Sequence, residues 1–295
     1  MNKEFVCEAI NSTDVSDNNE PEKFISMKED FSKYNGEGTE LRAAQMRLLK
    51  MLIEFDRICK KHDIEYFLSG GSCLGAVRHG GFIPWDDDLD VDVMYKDYPK
   101  LNQVLVEELP DTYFLQTPKS EKGYYHIFSR IVDLNSTMHY PEKYKARQHL
   151  SNHGLFLDIF PLQGGINLKV KREIDKRFVT LFRFSRGIGG TALKRLFSRA
   201  VWPISKLFVD FMNFVSSTVL IHFSDKENMT HIYGTNIVPK IRYSNVFPTK
   251  PIQFEGVWFR GPAKPHDYLT DLYGDYMKVP SPEKRVTHSV KIELF

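Results

Sequence analysis

Between Tyr66 and Val93 the chain concentrates five glycines and five aspartates, the groups that handle phosphates and divalent metals. A glycine turn leading into a helix offers backbone N–H groups and the positive end of a helix dipole to an anion. Gly70, Gly71 and Ser72 read as such a turn, between a short strand at Tyr66 to Ser69 and a helix opening at Cys73. After Asp86, Asp87 and Asp88 a second strand runs from Leu89 to Met94. Side chains alternate along a strand, so Asp88, Asp90 and Asp92 share one face opposite Leu89, Val91 and Val93. Carboxylates so placed repel one another, and a hard cation with oxygen ligands, Mg²⁺ or Mn²⁺, relieves the repulsion. The pattern predicts Asp88 and Asp90 as catalytic metal ligands, with donor phosphates resting on Gly70, Gly71 and Ser72. Either half alone has a structural explanation, as an ordinary turn or as a solvated loop before an edge strand. Their proximity argues for a metal-bound nucleotide.

The run from His153 to Leu162 reads as an apolar strand, and an aspartate inside it must be paired or metal-bound to offset its burial. Asp158 is therefore a further catalytic candidate, either a metal ligand or the base that takes a proton from an attacking hydroxyl. Arg130, on a strand read at Tyr124 to Val132, either holds a donor phosphate or is a surface arginine on an edge strand. Arg78, at the end of the short helix, is placed to neutralise leaving phosphates. Near the end, Lys284 and Arg285 offer phosphate contacts and Tyr273 or Tyr276 a ring for a base, with surface charge after a helix as the plain alternative.

The run from Leu68 to Asp90, Leu-Ser-Gly-Gly-Ser-Cys-Leu-Gly-Ala-Val-Arg-His-Gly-Gly-Phe-Ile-Pro-Trp-Asp-Asp-Asp-Leu-Asp, resembles the signature of the LicD family. That family is known for phosphocholine transferases, is shared more loosely with the fukutin-related proteins, and belongs to the nucleotidyltransferase-fold superfamily. Asp-Ile-Phe-Pro-Leu at Asp158 to Leu162 is similar to the family's run that supplies a third carboxylate, and the closing Tyr273-Gly-Asp-Tyr and Pro282-Glu-Lys-Arg wording is also similar. Asp86 matches the first acidic position of the pattern, whereas Gln163 stands where the family often has an acidic residue and is not expected to bind metal.

The resemblance implies an α+β fold, a nucleotidyltransferase-like mixed sheet with flanking helices, and a metal set of Asp88, Asp90 and Asp158. It implies Mg²⁺-dependent transfer of phosphocholine or a related alcohol or sugar phosphate from a CDP-linked donor to a glycan or lipid-linked glycan of the cell surface. Nucleotidyl transfer with release of pyrophosphate, and a catalytically silent glycan- or membrane-binding scaffold, are the competing readings.

These residues need a frame. A helix capped by Thr39 carries Leu41, Ala44, Leu48, Leu52, Phe55 and Cys59 at helical spacing and is expected to brace the first strand. A helix at Tyr98 to Glu108 and a strand at Tyr113 to Gln116 follow, and the stretches Ile232 to Ser244 and Val246 to Trp258 read as short strands and turns. With 295 residues, 42% of them apolar, the chain can bury a sizeable core. Residues 39–295 are read as one catalytic domain, after an acidic, polar extension at 1–38 that is expected to be mobile.

A basic helical insert occupies about 168–225, with helices at Lys171 to Ser185 and Ala192 to Phe223 broken at Gly187. Its amphipathic pattern fits peripheral contact with an anionic membrane, a polyanionic acceptor, or a solvated face packed on the core. A net charge of +2 argues against nucleic acid as a partner. Cys7, Cys59 and Cys73 fall in no metal-binding or paired spacing. With no signal-peptide pattern at the start, these thiols place the expected location in the cytoplasm or at the inner face of the cell membrane.

Overall fold

The structure, a computed structural model, describes residues 30–142, 150–164, 168–218, 227–232 and 241–295. Most of the acidic extension, residues 1–29, lies outside the described residues, as do 219–225 of the basic insert and 233–240 of the stretch read as strands and turns.

A short turn of helix, α1 (Ser32–Asn35), precedes α2 (Glu40–Lys61). Thr39 caps α2 as its sequence suggests, its hydroxyl accepting from the Arg42 N–H. The apolar stripe of α2, from Ala44 through Leu48, Leu52 and Phe55 to Cys59, is fully buried. Then come β1 (Tyr66–Leu68), α3 (Gly70–His79), β2 (Leu89–Met94) and α4 (Tyr98–Glu108). Gly70, Gly71 and Ser72 are thus the first residues of a helix rather than a separate turn. Ser69 is extended, and Gly70 enters the helix at φ +48, a value open to glycine and strained for residues with a Cβ.

Next are β3 (Tyr113–Gln116), β4 (Ser129–Asp133), β5 (Ser136–His139) and β6 (Phe156–Gly164). β4 starts later than the aromatic pattern implied: Tyr124 and Tyr125 are buried without joining the ladder. The basic insert forms α5 (Leu168–Ser185) and α6 (Ala192–Thr218). β7 (Asn228–His231), β8 (Ile241–Arg242), α7 (Tyr243–Val246), β9 (Lys250–Phe254) and β10 (Val257–Gly261) follow, then α8 (Pro265–Tyr273) and β11 (Lys291–Leu294). Tyr243 to Val246 forms one helical turn within the stretch read as short strands and turns.

The architecture is α+β, built on a mixed sheet in the order β1-β2-β6-β4-β3, with β7 and β8 continuing from β6. β2 and β6 run parallel at its centre, and their Val91, Val93, Leu157 and Ile159 are almost wholly buried. β9 and β10 form a separate hairpin, and β11 returns from the far end of the chain to pair with β5.

Three contacts aim the acidic loop at the sheet. Buried Gln45 on α2 donates its amide to the carbonyls of Ile83 and Asp86 at 3.3 and 2.9 Å. Glu255, in the β9–β10 turn, accepts from the Phe82 N–H and pairs with Arg42. Gly75 lets α3 lie against the loop, because a Cβ there would meet the Gly81 carbonyl oxygen at 2.3 Å. That obstacle is backbone and cannot swing away. Gly75→Ala is expected to destabilise the protein by about 1–3 kcal/mol, read as a lower urea midpoint. An unchanged midpoint would mean that the loop yields freely.

Candidate active site

One row of side chains crosses three strands. Asp90 on β2 is in register with Asp158 on β6, and Asp158 is in register with Arg130 on β4. Arg130 therefore sits on an interior strand, not an edge, and forms a bidentate pair with Asp158 at 2.5 and 2.8 Å. Their side chains are only 3% and 8% exposed, and the guanidinium lies 3.7 Å from the centre of the Phe156 ring. Burial alone would lower the Arg130 value, but the Asp158 charge and hydrogen bonds outweigh it and hold the cation firmly protonated.

The loop before β2 supplies a second group. One ligand atom each from Asp86, Asp88 and His288 lie within 4.8 Å of one another. His288 comes from the far end of the chain and is held there by Asp87, which is fully buried. Asp87 accepts from the His288 backbone N–H at 2.9 Å, from His288 Nδ1 at 3.0 Å and from the Ser289 N–H at 2.8 Å. Burial raises the Asp87 value, but these hydrogen bonds outweigh it and keep the group below the ordinary range. Asp87 thus clamps the C-terminal segment to the acidic loop.

The three carboxylates not paired in this way behave differently. Burial, followed by Asp88, drives Asp86 well above the ordinary range. Burial followed by the charges of Asp88, Asp158 and Asp86 does the same to Asp90, while burial raises Asp88 against the opposing pull of His288. Asp92 lies two residues beyond Asp90 on the same face of β2. It is fully buried and pairs with His231 Nε2 at 2.9 Å, so it shares the face of Asp88 and Asp90 but is committed to that histidine.

The start of α3 closes over this cluster. A Cβ at Gly70 would meet Asp90 Oδ2 at 3.4 Å and the Tyr273 hydroxyl at 3.5 Å, and one at Gly71 would meet Asp86 Oδ2 at 3.1 Å. The positive helix end thus faces carboxylates. The Gly70 N–H donates to the Tyr268 hydroxyl, and the Ser72 hydroxyl accepts from the Asp90 N–H, fixing α3 to β2.

The other sequence-derived candidates form a neighbouring group. Buried Arg78 donates to the carbonyl of Tyr276 at 2.7 Å and to His79 Nε2 at 2.9 Å. Burial, then Arg78, lowers His79 to about 4, so it accepts that bond as a neutral ring. Arg285 lies over the rings of Trp85, Phe31 and Tyr34, at 5.0, 5.3 and 5.8 Å, and donates Nε to the Pro280 carbonyl. Lys284 is exposed at the end of a single 3₁₀ turn, and Tyr276 is buried with its hydroxyl on His266. The structure brings Asp88, Asp90, Asp158, Gly70, Gly71 and Ser72 together, and Arg130 joins through Asp158. His288 carries no motif; its signal is tertiary, since about two hundred residues separate it from Asp87.

Asp86, Asp88 and Asp90 suit a hard divalent cation: they offer oxygen ligands, and the charges that raise their values are those a cation would neutralise. His288 is the softer member and fits Mn²⁺ better than Mg²⁺.

A mixed sheet carries carboxylates from two parallel strands beside a glycine-led helix. Residues 63–164 match the LicD/FKTN/FKRP nucleotidyltransferase domain family. Over 265 residues, 85% of this chain and 96% of the other, the protein is 28% identical to the lipopolysaccharide cholinephosphotransferase LicD of Haemophilus influenzae. Over 60 residues it is 40% identical to an uncharacterized protein of Rickettsia prowazekii, covering 20% of this chain and 23% of that one. Over 41 residues it is 46% identical to human ribitol 5-phosphate transferase FKRP, covering 14% of this chain and 8% of that protein. The domain match and the alignment along most of the chain both point to the LicD family, which this chain resembles.

Two outcomes test the electrostatics. Asp90 is held above the ordinary aspartate value near 3.8, so its ionisation costs stability that is lost progressively as pH rises through and beyond that value. In metal-free buffer Asp90→Asn should therefore raise the melting temperature at pH 7.5 and leave it nearly unchanged at pH 4; a lower melting temperature at pH 7.5 would contradict the crowding described. Arg130→Met strands a buried carboxylate and should cost about 3–5 kcal/mol, much of it recovered by adding Asp158→Asn. Urea denaturation of the single and double variants checks this.

Proposed function

We propose that the protein transfers phosphocholine, or a related alcohol or sugar phosphate, from a CDP-linked donor to a hydroxyl of a glycan or lipid-linked glycan. The observation that carries this reading is the crowding of Asp86, Asp88 and Asp90, raised by burial and by one another's charge, where Asp86 and Asp90 meet the opening of α3 and Asp158, paired with Arg130, lies in register with Asp90. The support from relatives is that a lipopolysaccharide cholinephosphotransferase aligns over nearly its whole length and a ribitol 5-phosphate transferase over a short part.

Asp88 and Asp90 would hold Mg²⁺ or Mn²⁺, with Asp86 and His288 beside Asp88 and with Asp158, paired with Arg130, in register with Asp90. The ion supplies charge neutralisation and a template for the donor diphosphate. The acceptor oxygen attacks the phosphorus of the phosphoalcohol and the bond to CMP breaks, so the products are a phosphodiester and CMP. Asp87 fixes the His288 ring next to Asp88, where an imidazole can take the proton of the attacking hydroxyl. Arg78, Arg285 and Lys284 form the cationic side of the site, where the leaving phosphate gathers its charge.

The test is turnover of a series of CDP-alcohols with Mg²⁺ or Mn²⁺. Asp88→Asn and Asp90→Asn are each expected to lower kcat by about a thousandfold or more, in line with the loss of a catalytic metal ligand. CMP should appear in step with the phosphodiester. Pyrophosphate released from CTP would support nucleotidyl transfer instead, and full activity in both variants would remove these carboxylates from the mechanism.

A further inference from the structure

We infer that the hairpin of α5 and α6 docks on an anionic lipid surface and that the cleft between its helices takes a lipid headgroup phosphate. One face of α6 already has its partner. Trp202 stacks on Phe178 and Phe182 of α5 with ring centres 4.9 and 4.6 Å apart, and Ser198 and Val209 on the same side are buried.

The opposite side carries Leu193, Leu196, Ile204, Leu207, Phe211 and Phe214, all 59–76% exposed. At 3.6 residues per turn these six fall in one stripe roughly 80° wide. A helix needs one apolar face to pack on its own protein, and α6 has a second. The largest apolar patch on a monomeric protein is about 300–600 Å² and is often functional.

Charge identifies the occupant. Between residues 168 and 218 the sequence has eleven Lys and Arg against three Asp and Glu, whereas the whole chain is only +2, so the remainder is acidic. Lys194 borders the stripe on one side and Arg199 on the other, where Lys206 is paired with Asp210. Arg199 also donates to the Ser185 carbonyl, which holds its charge at the helix junction. Cations flanking an apolar stripe are the arrangement of a helix that lies in the headgroup layer. A second copy of the chain would instead bring two strongly basic faces together. Among the described residues no helix is long and apolar enough to cross a membrane, which fits lying on the surface rather than spanning it.

The cleft supports the same partner. About 380 Å³ in volume, it is lined by Arg177 and Lys194 together with Thr180, Leu181, Phe184 and Phe197. Two exposed cations above apolar walls match a phosphate with the first carbons of its acyl chains. Phe197 is itself exposed, so a lipid held there would be continuous with the layer that covers the stripe.

This inference stands apart from the transferase reading, and its test needs no turnover. The full chain is floated with vesicles of phosphatidylcholine alone or mixed with phosphatidylglycerol. It should rise with the mixed vesicles and be partly released by high salt. Leu196→Ser/Leu207→Ser/Phe211→Ser, checked for unchanged circular dichroism, should weaken vesicle binding by about tenfold or more. Arg177→Gln/Lys194→Gln should lose the preference for phosphatidylglycerol while retaining weaker binding to both. Wild-type chain left unbound by both vesicle types overturns the proposal, as does a triple variant that binds like wild type. A wild-type dimer that becomes monomeric in the triple variant, with no lipid binding, assigns the stripe to a second copy and also overturns it.

Discussion

Repulsion among closely packed carboxylates is the constraint around which this protein is arranged. Asp86, Asp87, Asp88, Asp90, Asp92 and Asp158 occupy two adjacent parallel strands and the loop feeding one of them, with Asp87, Asp92 and Asp158 buried and Asp86, Asp88 and Asp90 half-buried. The protein divides them into two sets. Asp87 is clamped by His288 and Ser289, Asp92 by His231 and Asp158 by Arg130, each partner arriving from a different part of the chain. Asp86, Asp88 and Asp90 are left with one another, His288 and the start of α3, and all three are raised above the ordinary range. The first set builds the site, and the second is the part that gains most from a cation.

Several distant features serve that division. The return of the chain's end onto β5 carries His288 and Ser289 to the acidic loop. Gln45 on α2 and Glu255 in the β9–β10 turn hold the same loop from behind, which gives the bracing helix a more direct role than supporting the first strand. Gly70 supplies a positive φ that favours glycine, and Gly71 leaves room for Asp86, on which a Cβ there would press. The basic insert stands apart from this arrangement: α6 packs on α5 with one face and leaves a second apolar face in solvent.

Much of this was legible in the residues. Thr39 and the apolar spacing after it marked α2, the alternation from Leu89 to Met94 marked β2, and Asp158 in its apolar run announced a charge needing a partner. Those signals are local: capping, periodicity and the cost of burying a charge all act within a turn or a strand. The type of fold and the candidacy of Asp88, Asp90 and Asp158 follow from them together with the family wording.

Which partner each aspartate would take was decided by register and by long-range return of the chain. Alternation alone put Asp92 with Asp88 and Asp90, but pairing of β6 with β7 brought His231 to it. Arg130 was as compatible with an exposed edge as with a buried pair until β4 was found between β3 and β6. His288 carried no spacing at all, since its neighbours in space are about two hundred residues away. Local chemistry could therefore name the carboxylates, whereas their division into clamped and crowded sets depends on contacts that form only when the whole sheet has closed.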